Sequence, residues 1–315
     1  MSKAIRVEGL VKRFGSFTAV DNVSFDVTAG EIFGILGPNG AGKTTTLEII
    51  EGLQQPTAGR VSVLGLDSRR EAGRIKARIG VQLQSSAYFN FLSLREILQL
   101  LGSFYPRRLP PDELLKRVGL ADKATSRINH LSVGQQQRFT VAASLVNNPD
   151  LVILDEPTTG LDPQARHNLW ELIQEIHRRD ITVVLTTHYM EEARALCQRL
   201  AIMDRGRIVA IDSPDNLVSS IKTTYTVKLV TPQPLTEEQT RTLQRGATLQ
   251  PAAQNPDSPP VDGHPYLLRL DNTPEALNGV LDGIVRGGVS LKHLEILPAT
   301  LEDVFLEMTG NELRD

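Results

Sequence analysis

Gly37-Pro-Asn-Gly-Ala-Gly-Lys-Thr44 fits the pattern G-x-x-x-x-G-K-[ST] in full. Glycines let such a loop curl until successive backbone N–H groups converge on an anion, and a following helix adds the positive end of its dipole. The candidate phosphate-gripping residues are Gly37, Pro38, Asn39, Gly40, Ala41, Gly42, Lys43, Thr44 and Thr45. Lys43 is expected to reach the β- and γ-phosphates, and the Thr44 hydroxyl to ligate Mg²⁺. Taken alone, the loop says only that a nucleoside triphosphate binds.

Two further segments supply chemistry for that phosphate. Leu151-Val-Ile-Leu-Asp-Glu156 is an apolar run ending in two carboxylates, and in open α/β sheets the carboxyl ends of the strands face the ligand crevice. Asp155 is therefore expected to hold Mg²⁺, and Glu156 to take a proton from the attacking water. A base must stand beside the γ-phosphate without being consumed as a metal ligand, so two adjacent acids divide the work. His188 ends the run Ile181 to Thr187 at the same crevice edge, where an imidazole can bond the γ-phosphate or orient the water. His130, His167, His177, His264 and His293 show no metal-ligand spacing.

The elements that must carry these residues alternate short apolar runs with helical patterns, as in an α/β fold. Strands are expected at Ile5 to Gly9, Val23 to Val27, Glu31 to Leu36, Arg78 to Leu83, Leu151 to Leu154 and Ile181 to Thr187. Helices are expected after the glycine-rich loop, from Thr45 to Ile50, and after Asp162-Pro163, where Leu169, Leu172, Ile173 and Ile176 share a face. Asp162 suits that helix's N-cap and Pro163 its first position. Residues 85–130 read as an inserted helical subdomain, with helices at Leu94 to Leu101 and Asp112 to Val118. Beyond about Ser220 the order becomes βαββαβ, which suits a small ferredoxin-like α+β domain, followed by an amphipathic helix from Leu301 to Met308. The expected division is 1–220 and 221–315.

Composition narrows the class. At 315 residues the chain has room for about two domains. A hydrophobic share of 40% with 23% charged residues is a globular balance, and a net charge of -3 argues against a nucleic-acid partner. The single cysteine, Cys197, excludes an internal disulfide and fits a reducing compartment. With Ala193, Leu196 and Leu200 it follows helical spacing and reads as core packing. No stretch approaches the roughly 20 apolar residues that span a bilayer, and no signal peptide opens the chain. The sequence thus reads as a soluble, cytoplasmic protein that meets a membrane only through a partner.

Leu131-Ser-Val-Gly-Gln-Gln-Gln-Arg138, about twenty residues before the acid pair, resembles the L-S-G-G-Q signature of ABC transporter ATP-binding subunits. The resemblance covers about residues 5–220 and six motifs in order. It implies a P-loop NTPase cassette with a RecA-like core, an antiparallel β subdomain and the helical insert. It also implies ATP as substrate, with Phe14 stacking on adenine and Gln84 sensing Mg²⁺ and water. Thr158-Thr-Gly-Leu-Asp162 matches the D-loop, and Glu156, His188, Lys43 and Gln84 form the implied catalytic set.

In such proteins two subunits pair head to tail. Ser132, Gly134 and Gln135 of one would then meet the phosphate held by the partner's Lys43. The resemblance implies a homodimer or paired ATPase subunit, a polytopic transmembrane permease, and a peripheral position on the inner membrane face. Tyr88, Phe89, Phe91 and Leu92 read equally as docking contacts for that permease or as packing residues of the helical insert. Val133 departs from the signature's glycine. It keeps its N–H but adds a β-branched side chain that resists positive φ.

Thr186-Thr-His-Tyr-Met-Glu-Glu-Ala193 and Leu301 to Gly310 resemble the daunorubicin-resistance-type exporter ATPases. Export is the implied direction. An importer ATPase of the sugar class, with a barrel-like extension, and a non-transport ABC ATPase in translation or DNA maintenance stand as alternatives.

Overall fold

The chain is described from a computed structural model covering residues 2–82, 88–221, 223–244, 247–251, 263–271 and 274–310. Gln84 lies outside the described residues, as do Leu83 and the first residues of the expected helical insert. The chain divides into two compact units, Met1–Pro214 and Asp215–Glu312.

The first unit is organised around a six-stranded sheet in the order β10-β9-β3-β8-β7-β6. Its strands are β3 (Ile32–Leu36), β6 (Ile79–Gln82), β7 (Leu151–Asp155), β8 (Thr182–Thr187), β9 (Arg199–Asp204) and β10 (Arg207–Asp212). All pair in parallel except the β9–β10 edge. β3, β7 and β8 are buried along their whole length, as continuous apolar runs in a doubly covered parallel sheet require. Leu36 pairs with Thr187, and Asp155 with Thr186. Three neighbouring strands therefore end level, at one edge.

A second, antiparallel sheet runs β2-β1-β4-β5, from β1 (Lys3–Phe14), β2 (Phe17–Thr28), β4 (Ala58–Val63) and β5 (Leu66–Asp67). One hydrophobic core joins Ile5, Val7, Val27 and Val63 of this sheet to Phe33, Ile35, Ile153 and Val184 of the other. Phe25 stacks on Phe33 with centroids 5.4 Å apart. The sequence reading missed β4, β5, β9 and β10.

For β9 the error has a visible cause. Ala193, Leu196, Cys197 and Leu200 keep helical spacing, yet α7 (Met190–Leu196) stops before Cys197, whose backbone is extended. Leu200 instead pairs with Gly34 across β9 and β3. A Cβ on Gly34 would lie 2.6 Å from Cys197 Sγ, so the missing side chain admits the cysteine. Cys197 is buried, and burial pushes its thiol far up, which fits a packing role.

The helices follow their local signals. Pro111 opens α4 (Pro111–Arg117), and a Ser93–Glu96 capping box opens α3 (Leu94–Ser103). Both pack against α5 (Val133–Ser144), with the short turns 121–123 and 128–130 between α4 and α5. α6 (Pro163–His177) buries Leu169, Leu172, Ile173 and Ile176 as expected. α2 (Ala72–Lys76) precedes β6, and α8 (Pro214–Ser220) begins where the division falls.

α1 (Lys43–Ile50) ends at Glu51, whose side chain is buried. Burial first, then the charges of Asp155 and Glu48, push its pKa from 4.5 to about 8, against Lys76. The fold thus holds this acid neutral while the unfolded chain ionises it, so between those pH values stability falls as pH rises. Glu51→Gln is expected to flatten this slope and to gain a few kcal/mol at pH 8, with almost no gain near pH 4.5. Thermal denaturation across that range checks it.

The second unit carries β11 (Thr223–Thr231), α9 (Glu237–Leu243), β12 (Ala247–Pro251), β13 (His264–Asp271), α10 (Pro274–Arg286), β14 (His293–Pro298) and α11 (Leu301–Thr309). The sheet order is β12-β13-β11-β14, all antiparallel. Val227, Leu229, Leu268 and Leu270 form its core with Leu243 of α9 and Val280 and Ile284 of α10. This is the ferredoxin-like βαββαβ arrangement.

Candidate functional site

The loop after β3 is shaped by close approach. A Cβ on Gly37 would collide with the Met203 carbonyl, and one on Gly42 would lie 2.5 Å from the Ala19 carbonyl. Gly42 also has φ 101 at the N-cap of α1, a conformation open to glycine. The turn is closed by Ala41 N donating to Pro38 O at 3.1 Å, and Gly37 N donates to Thr187 O of β8 at 3.3 Å. Asn39, Gly40 and Thr44 stay exposed at the loop's mouth, with Thr45 half-buried.

Side chains from the level strand ends meet there. Lys43 Nζ donates to Gly37 O at 2.9 Å and Pro38 O at 3.1 Å, and lies 3.0 Å from Glu156 Oε1. Thr44 Oγ1 donates to Asp155 Oδ2 at 3.0 Å, while Asp155 Oδ1 accepts from Thr186 Oγ1. His188 Nδ1 lies 3.3 Å from Glu156 Oε2, which also accepts from Thr159 Oγ1 at 3.2 Å. Glu156 itself has φ 46, a strained value for this residue type, and its N–H donates to Thr186 Oγ1 at 2.9 Å. Burial by itself pushes the Glu156 carboxyl up, but Lys43, His188 and Thr159 outweigh it and hold the carboxyl below its ordinary value.

Lys43, Thr44, Asp155, Glu156 and His188 therefore stand together as the sequence reading expects. Thr159 of the D-loop segment and Thr186, which the sequence reading passed over, complete the hydrogen bonding. Phe17 is a further addition. It is the cross-strand partner of Phe14 at the β1–β2 turn, and it lines the cavity formed by Asn39, Gly40, Lys43, Thr44 and Glu156, whereas Phe14 does not. Lys12 Nζ sits 4.8 Å over the Phe14 ring. Phe17 could have been suspected from its place three residues after Phe14, across a turn.

The signature segment carries its own local hydrogen bonding. Ser132 is the N-cap of α5. Its Oγ accepts from Gln135 N at 3.3 Å, and Gln135 Oε1 accepts from Ser132 N at 3.1 Å. Val133 occupies the first helical position, is 62% exposed, and does not take positive φ. The conformational objection to valine therefore does not arise. Gly134 is tightly placed, for a Cβ there would lie 3.0 Å from Ala165 Cβ. Asp162 caps α6 by accepting from Ala165 N at 2.8 Å.

Among the described residues no helix is long and apolar enough to cross a membrane. Residues 20–159 match the ABC transporter family. The chain is 39% identical over 312 residues to a Nod factor export ATP-binding protein I from Burkholderia thailandensis, with 96% of each chain covered. Among solved structures it resembles part of an ABC transporter complex from Clostridium perfringens, at 27% identity and TM-score 0.63, covering 70% of this chain and 92% of that one. It also resembles a dimeric ATP-binding cassette in a post-hydrolysis state bound to ADP and Pi, at 29% identity and TM-score 0.60, covering 66% of this chain and 98% of the other. With its glycine-rich loop, acid pair and histidine level at one sheet edge and its likeness running over 96% of its length, the chain belongs to the ABC transporter family, as an ATP-hydrolysing subunit of the exporter type.

Proposed function

We propose that the chain works as one half of an ATP-driven clamp. Two copies, or this chain and a paired ATPase subunit, close over ATP and release it after hydrolysis, moving a transmembrane permease on whose cytoplasmic face they sit. The observation that carries this reading is the meeting of Lys43, Asp155, Glu156 and His188 at one edge, together with a signature helix whose N-terminus has no phosphate loop of its own beside it in the motif order. One loop and one signature per chain make two complete sites only in a pair, for which C2 symmetry is the simplest arrangement. The dimeric relative bound to ADP and Pi supports it.

Within each site the loop amides and Lys43 grip the phosphates, Glu156 takes the proton of the attacking water, and His188 bonds the γ-phosphate or orients that water. Ser132, Gly134 and Gln135 close the site from the opposite subunit, and the turn ending at Asp162 reaches toward it. Thr44 and Asp155 offer a compact, oxygen-only donor pair of the kind Mg²⁺ prefers. They would hold the ion with Gln84, and its chemistry there is to neutralise charge on the β- and γ-phosphate oxygens. The base platform is Phe17, which lines the cavity, backed across the hairpin by its cross-strand partner Phe14. Phe17→Ala is expected to weaken ATP binding by about 1–3 kcal/mol while leaving inorganic triphosphate binding unchanged, which competition titration measures.

Docking on the membrane partner is assigned to the helical insert and its junction with the core. Phe89 and Phe91 are exposed, with rings 5.7 Å apart, and Leu92 is half-buried. Tyr88 instead packs edge-on against Phe139 at 5.3 Å, which favours a packing role for it. A cavity of about 260 Å³ beside β6, lined by Leu53, Val81, Tyr105 and Val146, supports the same surface. The relatives' name, Nod factor export, supports outward transport.

A shared site makes activity depend on pairing. Specific ATPase activity of the purified chain is expected to rise with protein concentration and to show a Hill coefficient above 1 for ATP. Constant specific activity in a chain that stays monomeric with ATP would sink the clamp.

A further inference from the structure

Glu192, on the first turn of α7, is fully buried. A carboxyl taken out of water needs partners, and those of Glu192 come from three separate segments. Trp170 Nε1 of α6 donates to Oε1 at 3.1 Å. The hydroxyls of Thr187, at the end of β8, and Thr158, in the turn after β7, are near enough to favour the charged carboxyl, although Glu192 Oε2 and Thr158 Oγ1 complete no hydrogen bond. Arg166 of α6 is the charged group facing it, and the guanidinium also stacks 4.1 Å over Tyr189.

The two threonines lead back to the phosphate site from opposite sides. Thr187 Oγ1 accepts from Tyr189 N at 2.9 Å and so fixes the turn that carries His188. Thr158 O accepts from Leu161 N at 3.2 Å, closing the turn that carries Thr159. His188 and Thr159 both contact Glu156 Oε2, at 3.3 and 3.2 Å. From Glu192, Thr187 leads to the turn that carries His188 and Thr158 to the turn that carries Thr159, and both of those side chains bear on Glu156. Nothing in the reaction chemistry uses Glu192 directly.

We propose that Glu192 is a positioning residue that holds His188 and Thr159 on Glu156, so that it orients the base without touching the nucleotide. This rests on the reading of Glu156 as base and His188 as its neighbour. Burial, the dominant influence on the Glu192 carboxyl, raises its pKa against the pull of its hydrogen-bond partners. Glutamine, neutral and of the same shape, can therefore take its place, whereas alanine leaves both turns without it.

The test is a mutant cycle read by kcat, KM, ATP affinity and melting temperature. Glu192→Gln is expected to stay within about two-fold of wild type, whereas Glu192→Ala lowers kcat about ten-fold at unchanged KM. In a Thr159→Ala/His188→Ala background, Glu192→Ala is expected to change kcat by less than about two-fold, since the groups it positions are gone. A merely structural role predicts the same fractional loss in both backgrounds, and that result overturns the proposal. Should the alanine variant fail to fold, Thr158→Val, nearly isosteric, serves in its place, with a several-fold loss expected only in the wild-type background. If the Thr159→Ala/His188→Ala background itself hydrolyses at the wild-type rate, the reading of the site fails and takes this proposal with it. If that background is slow but both Glu192→Ala and Thr158→Val are unimpaired, the proposal alone fails.

Discussion

Glu156→Gln is expected to lower kcat by about 10²- to 10⁴-fold, the range a general base contributes, while ATP still binds and holds a stable dimer. The geometry explains why the two effects separate. Glu156 is one of three acceptors around the Lys43 ammonium, the others being the Gly37 and Pro38 carbonyls. Phosphate can replace the carboxylate there, because an oxyanion brings the same charge. Lys43 is the largest of the influences holding the Glu156 carboxyl down, with His188 and Thr159 beside it.

The amide of glutamine keeps the shape but can neither accept the proton nor balance Lys43. Leaving one partner of a buried pair uncompensated costs about 3–5 kcal/mol, so the variant is expected to melt below wild type without nucleotide and to regain more on adding ATP. Single-turnover hydrolysis, size-exclusion chromatography with ATP and paired melting curves measure the three parts. A variant that hydrolyses at the wild-type rate would remove Glu156 from the role of base.

The site was legible in the sequence where chemistry and position coincide locally. The phosphate loop needs glycine where the Met203 and Ala19 carbonyls press on it, and the acids and histidine mark the ends of apolar runs that a doubly covered parallel sheet demands. What escaped depends on contacts between distant segments. Glu192 looks like an exposed acid in Met190-Glu-Glu-Ala193, and only tertiary packing puts Trp170 and two threonines near it. Phe17 enters the site through hairpin register with Phe14. β9 was hidden because strand pairing with β3 overrides a helical spacing that ends one residue too soon. The βαββαβ order of the second unit was readable because its strands and helices alternate with clear breaks.

Gly134→Asp is expected to abolish ATP-driven pairing, whereas the neighbouring Val133→Gly is expected to do almost nothing, although Val133 is the residue that departs from the signature. The first amides of α5 lie at the positive end of its dipole, and those of its first turn lack intrahelical partners. Ser132 Oγ already occupies the Gln135 amide, so the amides of Val133 and Gly134 stay available to an anion, and the Ser132 proton stays free to be donated. An aspartate at 134 sets a negative charge where the γ-phosphate must arrive. It also forces a Cβ to within 3.0 Å of Ala165 Cβ, spreading α5 from α6.

Val133 has neither problem. Its side chain projects outward and its backbone is already helical, so glycine loses about 1 kcal/mol or less of helix propensity and no contact. The cleanest background is Glu156→Gln, in which the dimer persists long enough to observe. There, adding Gly134→Asp is expected to return the chain to monomer in the presence of ATP while its own phosphate loop still binds nucleotide within about two-fold. Adding Val133→Gly should leave the dimer intact. A dimer that survives Gly134→Asp would mean that the α5 N-terminus does not face the phosphate, and the shared-site geometry would have to be abandoned.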